Sequence, residues 1–473
     1  MKKLLIFSGK GIDEKNTDGR IVYTKGYDTL SKGFIRTYLR ITLPAIIAQL
    51  VVYIVDNLNV AILGSLSEKA IAGYTIANQT YDIYVFIALG LSGGFHVYIS
   101  QLYGNNDKAK SNQVLKLGLI VCAVVGFIYS LTVFLMSEPF IRLFISEAER
   151  VSYGVRYLRI YAFSLMFYGI NVMLSGAYTI IGNAIVSMYS GIINCLVSLF
   201  ASYTLVYGKF GLPSMGIEGA ALAILIGRFA EFLFLSSQLL VSGSEFKPFS
   251  GEGKIESSVL SRVLKTAMPL ILNETCYAFA FFMVVRNLSH LDERYISCYT
   301  VVNNCNKLFF VISYALSPAV GKLIGRNLGL GNFEAAKRGG NDILQMNFYV
   351  HLVFGVLMAA LSGVIPGFFS LYDDVAVVCR GMLISKAVLG LFGGYSNCYY
   401  NIFRIGGNTR EIFFVDGVFS LIGPMGVSFI VCYLIPLPFV WAYFCIDFMN
   451  VIKTGICYTL YKKEIWLNKL SSI

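Results

Sequence analysis

Residues 160–208 read IYAFSLMFYGINVMLSGAYTIIGNAIVSMYSGIINCLVSLFASYTLVYG and contain no Asp, Glu, Lys or Arg. One membrane-spanning helix needs only ~20 apolar residues, and two similar uncharged runs cover residues 343–372 and 417–446. Hydrophobic residues make up 56% of the 473 residues and charged residues only 14%. A soluble domain could not bury so much apolar surface, so the sequence predicts an all-α polytopic membrane protein. Transmembrane barrel strands would alternate polar and apolar residues, which these runs do not.

Polar, Gly-rich or Pro-containing breaks divide the chain into twelve predicted transmembrane helices. The first six fall near residues 41–64, 71–102, 115–137, 157–181, 184–208 and 216–241. The second six fall near residues 262–286, 297–324, 343–370, 382–404, 411–434 and 437–460.

Basic residues cluster in the loops that follow even-numbered spans, as in Lys108 and Lys110 or in Lys337 and Arg338. Cytoplasmic loops carry an excess of Lys and Arg, so both termini are expected to face the cytoplasm of a multi-pass cell-membrane protein. Residues 1–39 are polar and basic and lack the apolar core of a removable signal peptide. The net charge of +11 is spread over this tail and the loops, which fits membrane insertion rather than binding of a nucleic acid.

An internal repeat relates the two halves of the chain. Pro44 and Pro269 each open a predicted span at an offset of 269 − 44 = 225, and Gly182 and Gly407 share this offset. Gly104 pairs with Gly331 at an offset of 331 − 104 = 227. Each unit holds six spans, so both halves enter the membrane from the same side. We therefore expect two six-helix lobes related by a pseudo-two-fold axis along the membrane normal, an arrangement of alternating-access carriers.

The repeat also sets the expected domain boundaries. They are a cytoplasmic tail at 1–39, a first lobe at 40–245, a cytoplasmic linker at 246–261, a second lobe at 262–465 and a cytoplasmic end at 466–473.

The ten cysteines lie singly in apolar runs without a Cys-x-x-Cys pair, and the three histidines are far apart in sequence. The cysteines are interpreted as small buried apolar residues, and we expect no metal centre and no cofactor.

A carboxylate, Asp56, stands in the middle of the apolar first span. A charge at this depth is costly, and such residues are usually retained because an ion or proton binds there. A structural Asp bonded to Asn57 or to nearby backbone is the alternative. The position favours a transporter with a cation-binding or titratable switch.

Several short motifs resemble those of the multidrug and toxic compound extrusion (MATE) family, and the similarity runs over essentially the whole of residues 40–465. The matching stretches, whose order and spacing carry the resemblance, are residues 43–56 with 63–64, 101–107, 211–213 with 216–221, 325–329 and 404–409. This resemblance implies two six-helix lobes that form a V, with drug and cation sites inside the lobes and the cleft. It also implies export driven by inward flow of H⁺ or Na⁺.

The resemblance assigns cation coupling to Asp56, Glu274 and Asn194. Asp56 matches an acid that couples cation and drug, and Glu274 matches an acid used in the second lobe. Asn194 matches an Asn of the first-lobe cation cage, but Ser198 stands where some relatives carry an acid. No metal is expected beyond Na⁺ at Asp56 or Glu274, and the neutral partners favour H⁺. A structural ion pair between Glu274 and Lys307 is the alternative for this acid.

The predicted substrate cavity is lined by polar and aromatic residues of several spans. Asn78 and Asp82 lie four residues apart on one helical face, although Asp82 could instead pair with a basic residue of a neighbouring span. Tyr399 could stack on a cationic aromatic compound, although most aromatic residues pack or anchor the helices. Asn303 and Lys307 of span eight are expected to line the same cavity.

The sequence therefore predicts a secondary active transporter that exports cationic or amphipathic drugs and toxic compounds by antiport with H⁺ or Na⁺. The expected partners are the lipid bilayer and a small-molecule substrate, and the expected state is a monomer. A lipid-linked oligosaccharide or polysaccharide flippase of the same superfamily is the alternative, and a membrane-embedded transferase is a second. The transferase lacks a recognisable constellation of His and acidic residues.

Overall fold

The computed structural model describes residues 68–142, 148–181, 183–240, 246–249, 257–369, 371 and 373–469, together with single positions between residues 38 and 62. These residues form helices and short connections, and no strand occurs among them. The predicted first span falls largely outside the described residues, and Asp56 is one of the residues left out.

The continuously described part of the first half, from residue 68 on, contains one short helix and five long ones. They are α1 (Glu68–Gly104), α2 (Lys108–Leu135), the short α3 (Ser137–Arg142), α4 (Ala148–Ile180), α5 (Ala184–Tyr207) and α6 (Gly216–Leu240).

In the described part of the second half, a further long helix comes first and the same order then follows. Its helices are α7 (Ser257–Leu291), α8 (Ile296–Val320), α9 (Arg326–Leu330), α10 (Phe333–Leu361), α11 (Ile365–Phe368), α12 (Asp373–Ile405), α13 (Thr409–Ile412), α14 (Gly426–Phe429) and α15 (Phe439–Lys462).

Wider turns of π type continue two of these rods. One π segment, Gly321–Gly325, joins α8 to α9. Three others, Phe413–Val418, Leu421–Met425 and Ile430–Leu434, make α13 and α14 parts of a single rod over Thr409–Leu434. Such bulges often mark functional sites in helices.

Ten helices of the described part are long and apolar enough to cross a membrane, and large apolar side chains such as Phe127, Leu196 and Val388 are exposed on their outer surface. Span nine differs from its prediction of 343–370, because α10 begins at Phe333, where the Asn332 side chain accepts a hydrogen bond from the Ala335 amide at 3.1 Å. Hydropathy marks only the lipid-buried part of a helix, whereas the cap marks its start.

The starts of α2, α4 and α5 share one offset in residue number with the starts of α10, α12 and α13. Helix α4 (Ala148–Ile180) and helix α12 (Asp373–Ile405) begin at an offset of 373 − 148 = 225 and end at the same offset. The N-cap residues Asp107 and Asn332 share it, and each caps the amide three residues later. The left-handed residue just before each cap is Asn106 (φ 62°) or Gly331 (φ 74°). Gly331 therefore corresponds to Asn106, and the offset of 227 predicted for Gly104 was wrong.

The contacts between the lobes obey this two-fold relation. A Cβ added to Gly104 would lie 2.6 Å from the Cα of Arg326, and one added to Gly329 would meet the backbone of Gln101. Adding the repeat offset of 225 to residue 104 gives 329, and subtracting it from residue 326 gives 101. The repeat therefore converts the first contact into the second. Gly325 packs on Ser100, its own equivalent in the other lobe (325 − 100 = 225), so the pseudo-two-fold axis passes beside this pair.

Small residues allow the lobes to meet along α1. A Cβ on Gly90 would lie 2.7 Å from the Ile271 Cα, and one on Gly94 would lie 2.8 Å from the Ala267 Cα. Between helices in lipid such close backbone approach supplies the packing energy that hydrophobicity cannot. We call this contact zone, from Leu89 to Gly104 of α1 with its partners in α7, α9 and α12, the closed layer.

Burial along α1 changes on the N-terminal side of the closed layer. Residues 90–102 of α1 are all buried, whereas Asp82 and Ile83 are exposed. The described contact between the lobes is therefore tightest at the end where α1 and α9 finish.

Candidate functional site

Glu274 is a carboxylate inside the second lobe. It lies in α7, five residues after Pro269, and is partly buried. Its Oε1 accepts a hydrogen bond of 2.7 Å from the Tyr400 hydroxyl of α12. Among the described residues no basic nitrogen lies within 4.0 Å of this carboxylate, so the ion pair with Lys307 that the sequence left open is not formed in this structure.

A neutralised ion pair lies beside Glu274. Lys453 of α15 forms an ion pair with Oδ1 of Asp416, which sits in the first π segment of the Thr409–Leu434 rod. Asn273, next to Glu274 in the chain, donates a hydrogen bond of 2.8 Å to Oδ2 of Asp416. Both Asp416 oxygens are occupied, so Glu274 is the acid of this group that remains available for an external ion.

A second ion pair belongs to the same lobe. Lys386 of α12 contacts Oδ1 of Asp447 in α15 at 2.8 Å, and Asn450 donates to the same oxygen at 3.0 Å. The other oxygen, Oδ2, is buried without a hydrogen-bond partner among the described residues. Lys386 and Asp447 join α12 to α15, much as Lys453 and Asp416 join α15 to the preceding rod.

The first lobe contains one described ion pair in its interior. Arg228 and Glu231, three residues apart in α6, approach to 3.3 Å. Asn171 of α4 donates to Glu231 at 3.1 Å. The guanidinium also donates to the Tyr81 hydroxyl at 3.3 Å and lies 4.8 Å from the ring centroid of Tyr168. Aromatic rings and an amide thus enclose this pair.

Asn194 of α5 lies next to α6. A Cβ added to Gly227 would come 2.7 Å from the Asn194 Oδ1. The Asn194 amide therefore packs against α6 at the residue that precedes Arg228. The other first-lobe residue assigned to cation coupling, Asp56, is outside the described residues, and Asn78 belongs to α1 without a described side chain. The first-lobe cation cage therefore stays a prediction.

The predicted cavity residues separate into exposed and buried sets. Asp82 and Lys307 are exposed, and Asn303 is partly buried one turn before Lys307. Tyr399 is only 4% exposed and stacks within the second-lobe core, 5.4 Å from the Tyr461 ring centroid. In this structure Tyr399 packs against other rings rather than facing the cleft.

Arg404 connects the second-lobe site to the closed layer. It lies one turn after Tyr400 in α12, its guanidinium packs on Gly93, and Nη2 donates to the Leu89 carbonyl at 3.3 Å. Sequence reasoning missed Arg404, Asn273 and Lys453 as site residues. A signal existed for the two cations, because each is one of only two charged residues in its predicted second-lobe span.

A family profile named MatE matches residues 44–204 and 269–434, more than half of the chain. The two matched segments begin at an offset of 269 − 44 = 225, which is the offset of the structural repeat. The chain belongs to the MatE family. Members of this family are membrane transporters rather than enzymes, so the transferase alternative is rejected.

Curated relatives carry names of multidrug transporters. The chain is 23% identical over 368 residues to "Probable multidrug resistance protein NorM" of Agrobacterium fabrum, covering 72% of this chain and 79% of that protein. It is 22% identical over 402 residues to "Multidrug and toxin extrusion protein 1" of Oryctolagus cuniculus, covering 83% and 69%. The predicted MATE resemblance and the multidrug efflux class are therefore confirmed.

Solved structures share the fold at low sequence identity. An outward-facing multidrug resistance MATE family transporter of the MOP superfamily matches with a TM-score of 0.84 at 16% identity, covering 93% of this chain and 99% of that one. A MOP superfamily transporter from Pyrococcus furiosus, whose binding pocket is described as having reverse polarity, matches with a TM-score of 0.83 at 17% identity, covering 93% and 99%. The all-helical, two-lobe fold predicted from the sequence is confirmed.

Proposed function

We propose that this MatE protein exports organic compounds from the cell in exchange for an inward-moving cation, with Glu274 as the ion-binding carboxylate of the second lobe. The observation that carries the proposal is an acid inside a membrane span that has a hydroxyl partner but, among the described residues, no basic one. A carboxylate at such depth is costly when charged and alone, and binding a cation removes the cost. Asp56 is proposed as the corresponding acid of the first lobe.

We propose H⁺ as the ion that Glu274 binds. Na⁺ would need several oxygen ligands, but both oxygens of the neighbouring Asp416 are engaged by Lys453 and Asn273. A proton needs only one carboxylate oxygen. The Tyr400 hydroxyl can donate to the charged acid and, after rotation, accept from the protonated one.

Coupling to the lobes runs through α12 in this proposal. Tyr400 contacts Glu274, and Arg404 one turn later holds the Leu89 carbonyl across the lobe boundary. Protonation of Glu274 changes the hydrogen bond to Tyr400 and removes a negative charge near Arg404. The arginine is then held less firmly, which favours separation of the closed layer and alternating access.

The direction of export depends on orientation. With both termini in the cytoplasm, as the loop charges indicate, the closed layer lies on the cytoplasmic side and the cleft opens outward. A proton that enters Glu274 from outside would then drive the change that reopens the inward path.

The test is counterflow of a lipophilic dye in proteoliposomes with imposed pH or Na⁺ gradients. Glu274→Gln should abolish gradient-driven transport while the purified protein stays folded and still binds the dye. Glu218→Gln, which removes a partly exposed acid paired with Arg156 at 3.5 Å, is the matched control and should transport normally. Full gradient-driven transport by Glu274→Gln would refute the assigned role, and dependence on Na⁺ alone would refute the proton.

The flippase alternative is less well supported. A cleft for an anionic lipid-linked sugar would need several unpaired cations, but Lys386 and Lys453 are both neutralised by acids of their own lobe. Lys307, a third lysine within a second-lobe span, is exposed.

A further inference from the structure

An apolar groove of about 390 Å³ lies on the surface of the first lobe, and nine of the ten described residues that line it are apolar. Helix α4 packs against both α2 and α6. It forms the floor of the groove with Ile170 and Leu174, which are buried. The walls are formed by residues between Leu119 and Ala123 of α2 and between Phe232 and Leu240 of α6. The groove therefore runs along the helices.

The groove opens towards lipid. Helix α2 packs mainly on α1, α3 and α4, which all belong to the first lobe. A row of exposed apolar side chains begins at the groove wall with Ile120 and continues with Val124, Phe127 and Leu131. Their spacing places them on one face of α2. An uncharged face of this kind on a membrane-spanning helix contacts lipid tails, so the groove beside it does so too.

The groove has the depth of one lipid leaflet. Phe232 to Leu240 cover about 12 Å along the axis of α6, at 1.5 Å per residue. The hydrocarbon core of a bilayer is ~30 Å thick, so one leaflet contributes about half of that. An empty groove would deprive its lining of dispersion contacts. We therefore expect a lipid tail to fill it.

Two lysines lie at the polar end of the groove. Lys116 precedes Leu119 and Ile120 by three and four residues and so shares their face of α2. Among the described residues no carboxylate lies within 4.0 Å of Lys116. One turn before it, the Asn112 side chain accepts a hydrogen bond of 2.9 Å from the Lys247 amide, and the Lys247 side chain is exposed. Because the predicted apolar span begins at residue 115, both lysines lie at the level of the lipid headgroups.

The described segment 246–249, which follows the first lobe, is held at this end of the groove. Phe246 is buried and packs edge-on against Tyr178, with ring centroids 5.5 Å apart. Phe249 lines the groove but is 68% exposed. Most of its ring is therefore available to a molecule that lies in the groove.

We propose that the groove binds an anionic phospholipid of the bilayer, with one acyl chain along α2 and α6 and the phosphate at Lys116 and Lys247. The chain alone gives no selectivity, because lipid tails are as apolar as the leucine side chains they contact. The lysines provide it, because basic residues beside membrane helices attract anionic headgroups. The bound lipid joins α2 to the segment that leads to the second lobe, and it is not a transported substrate.

The test uses a fluorescent reporter in the groove. The chain has two tryptophans, Trp441 and the fully buried Trp466. Phe249→Trp combined with Trp441→Phe places a tryptophan at the groove and leaves Trp466 as a constant background. The full-length protein is reconstituted in bilayers that mix phosphatidylglycerol and phosphatidylcholine with identical chains, and bromine on the chains of one of the two lipids quenches the reporter.

The reporter should show phosphatidylglycerol bound about tenfold more tightly than phosphatidylcholine, the ratio that ~1.4 kcal/mol produces. Equal quenching by the two lipids would overturn the proposal. In the protein with its natural Phe249, Trp441 is the control site, because it is 60% exposed on α15 of the second lobe. Trp441 should show no preference. The same preference at Trp441 would mean that the basic protein gathers anionic lipid over its whole surface, which would overturn a specific site.

Charge variants test the headgroup contact. Lys116→Gln combined with Lys247→Gln should remove the preference but keep quenching by both lipids, because a chain still fills the groove. Lys265→Gln and Lys463→Gln, which remove exposed lysines of the second lobe, are controls and should keep the preference. A preference that survives the double variant would contradict the assignment of the phosphate to these lysines.

A groove-filling variant tests the chain contact. Ala123→Phe should reduce quenching of the groove reporter by either lipid, and unchanged quenching would place the chain outside the groove. Inorganic phosphate, added in excess over the lipid, should leave the preference for phosphatidylglycerol intact. Loss of the preference in phosphate would indicate a site for a free anion and contradict the proposal.

Discussion

The two lobes each carry a partly buried cation in their last helix but hold it in different ways. Arg228 lies in α6 and Lys453 lies in α15. Arg228 pairs with Glu231, three residues along its own helix. Lys453 instead pairs with Asp416 from another helical rod. The same fold thus contains a local ion pair in one lobe and one that ties two helices together in the other.

This difference shows that repeated architecture does not require repeated chemistry. An arginine is always charged and binds in a fixed planar geometry, and here its ring partners enclose it, whereas lysine is a compact charge on a flexible stem that can change partners. The second-lobe pair also lies beside Glu274, which has no basic partner among the described residues. We infer that, within the part of the chain that the structure describes, ion-dependent change is concentrated in the second lobe.

The largest expected effect comes from removing Lys453. Lys453→Met leaves the Asp416 carboxylate buried without its cation, and breaking a buried pair in this way costs about 3–5 kcal/mol. Thermal unfolding in detergent should show a strongly destabilised protein. Adding Asp416→Asn should restore much of the stability, because no unpaired charge remains.

Transport separates the roles of the two pairs. The double variant Lys453→Met with Asp416→Asn should stay inactive in gradient-driven efflux although it is stable. The corresponding first-lobe double variant, Arg228→Met with Glu231→Gln, should keep transport once folded. Equal transport by both double variants would contradict the assignment of ion-dependent change to the second lobe.

The closed layer, where the lobes are alike, should respond symmetrically. Gly104→Ala and Gly329→Ala each place a methyl group against the backbone of the opposite lobe, and overpacking of this kind costs about 1–3 kcal/mol. Hydrogen exchange of residues 98–104 and 326–330 should rise to a similar extent in both variants. Gly191→Ala, whose added methyl group meets nothing within 4 Å, should leave it unchanged. A rise in only one of the first two variants would contradict the two-fold contact pattern.

Much of this fold could be predicted from the sequence because lipid imposes long apolar segments and the repeat imposes their pairing. The bounds of α10 could not, because its first turn is polar and is fixed by the Asn332 cap rather than by hydropathy. The correct repeat offset at the end of α1 was hidden for a similar reason. Asn106 and Gly331 share a left-handed conformation, but the sequence aligns glycine with glycine.

The candidate site was predictable only in part. Glu274 was identified by its match to an acid of the MATE family, and Asp82 by its helical spacing from Asn78. The partners of Asp416 and Glu274 come from other helices, and a single sequence contains no information on which helix faces which. Tyr399 was placed in the cavity from its chemistry, but ring packing inside the lobe decides its position.

A smaller effect should follow from changing the first-lobe cation without removing its charge. Arg228→Lys keeps a positive charge near Glu231 but loses the donor to Tyr81 and the planar contact with Tyr168, a loss of about 1–2 kcal/mol. Lys453→Arg keeps the charge beside Asp416. Thermal unfolding should therefore show Arg228→Lys as the destabilised variant of the two if the lobes hold their cations differently. Equal sensitivity would weaken the comparison.

The smallest expected effect tests whether the repeat extends to local helix stability. Asp107 and Asn332 cap α2 and α10 with side-chain hydrogen bonds of 3.1 Å to the amides of Lys110 and Ala335. Removal of such a cap costs about 1 kcal/mol, so Asp107→Ala and Asn332→Ala should each increase amide exchange of the capped turn about fivefold, since RT is ~0.6 kcal/mol. The charge of Asp107 also interacts with the positive end of the helix dipole, which adds a few tenths of a kcal/mol at low salt. The Asp107 variant should therefore show the larger effect in low salt and an equal effect in high salt. A difference that persists in high salt would mean that the two helix starts are held by unlike contacts despite their common spacing.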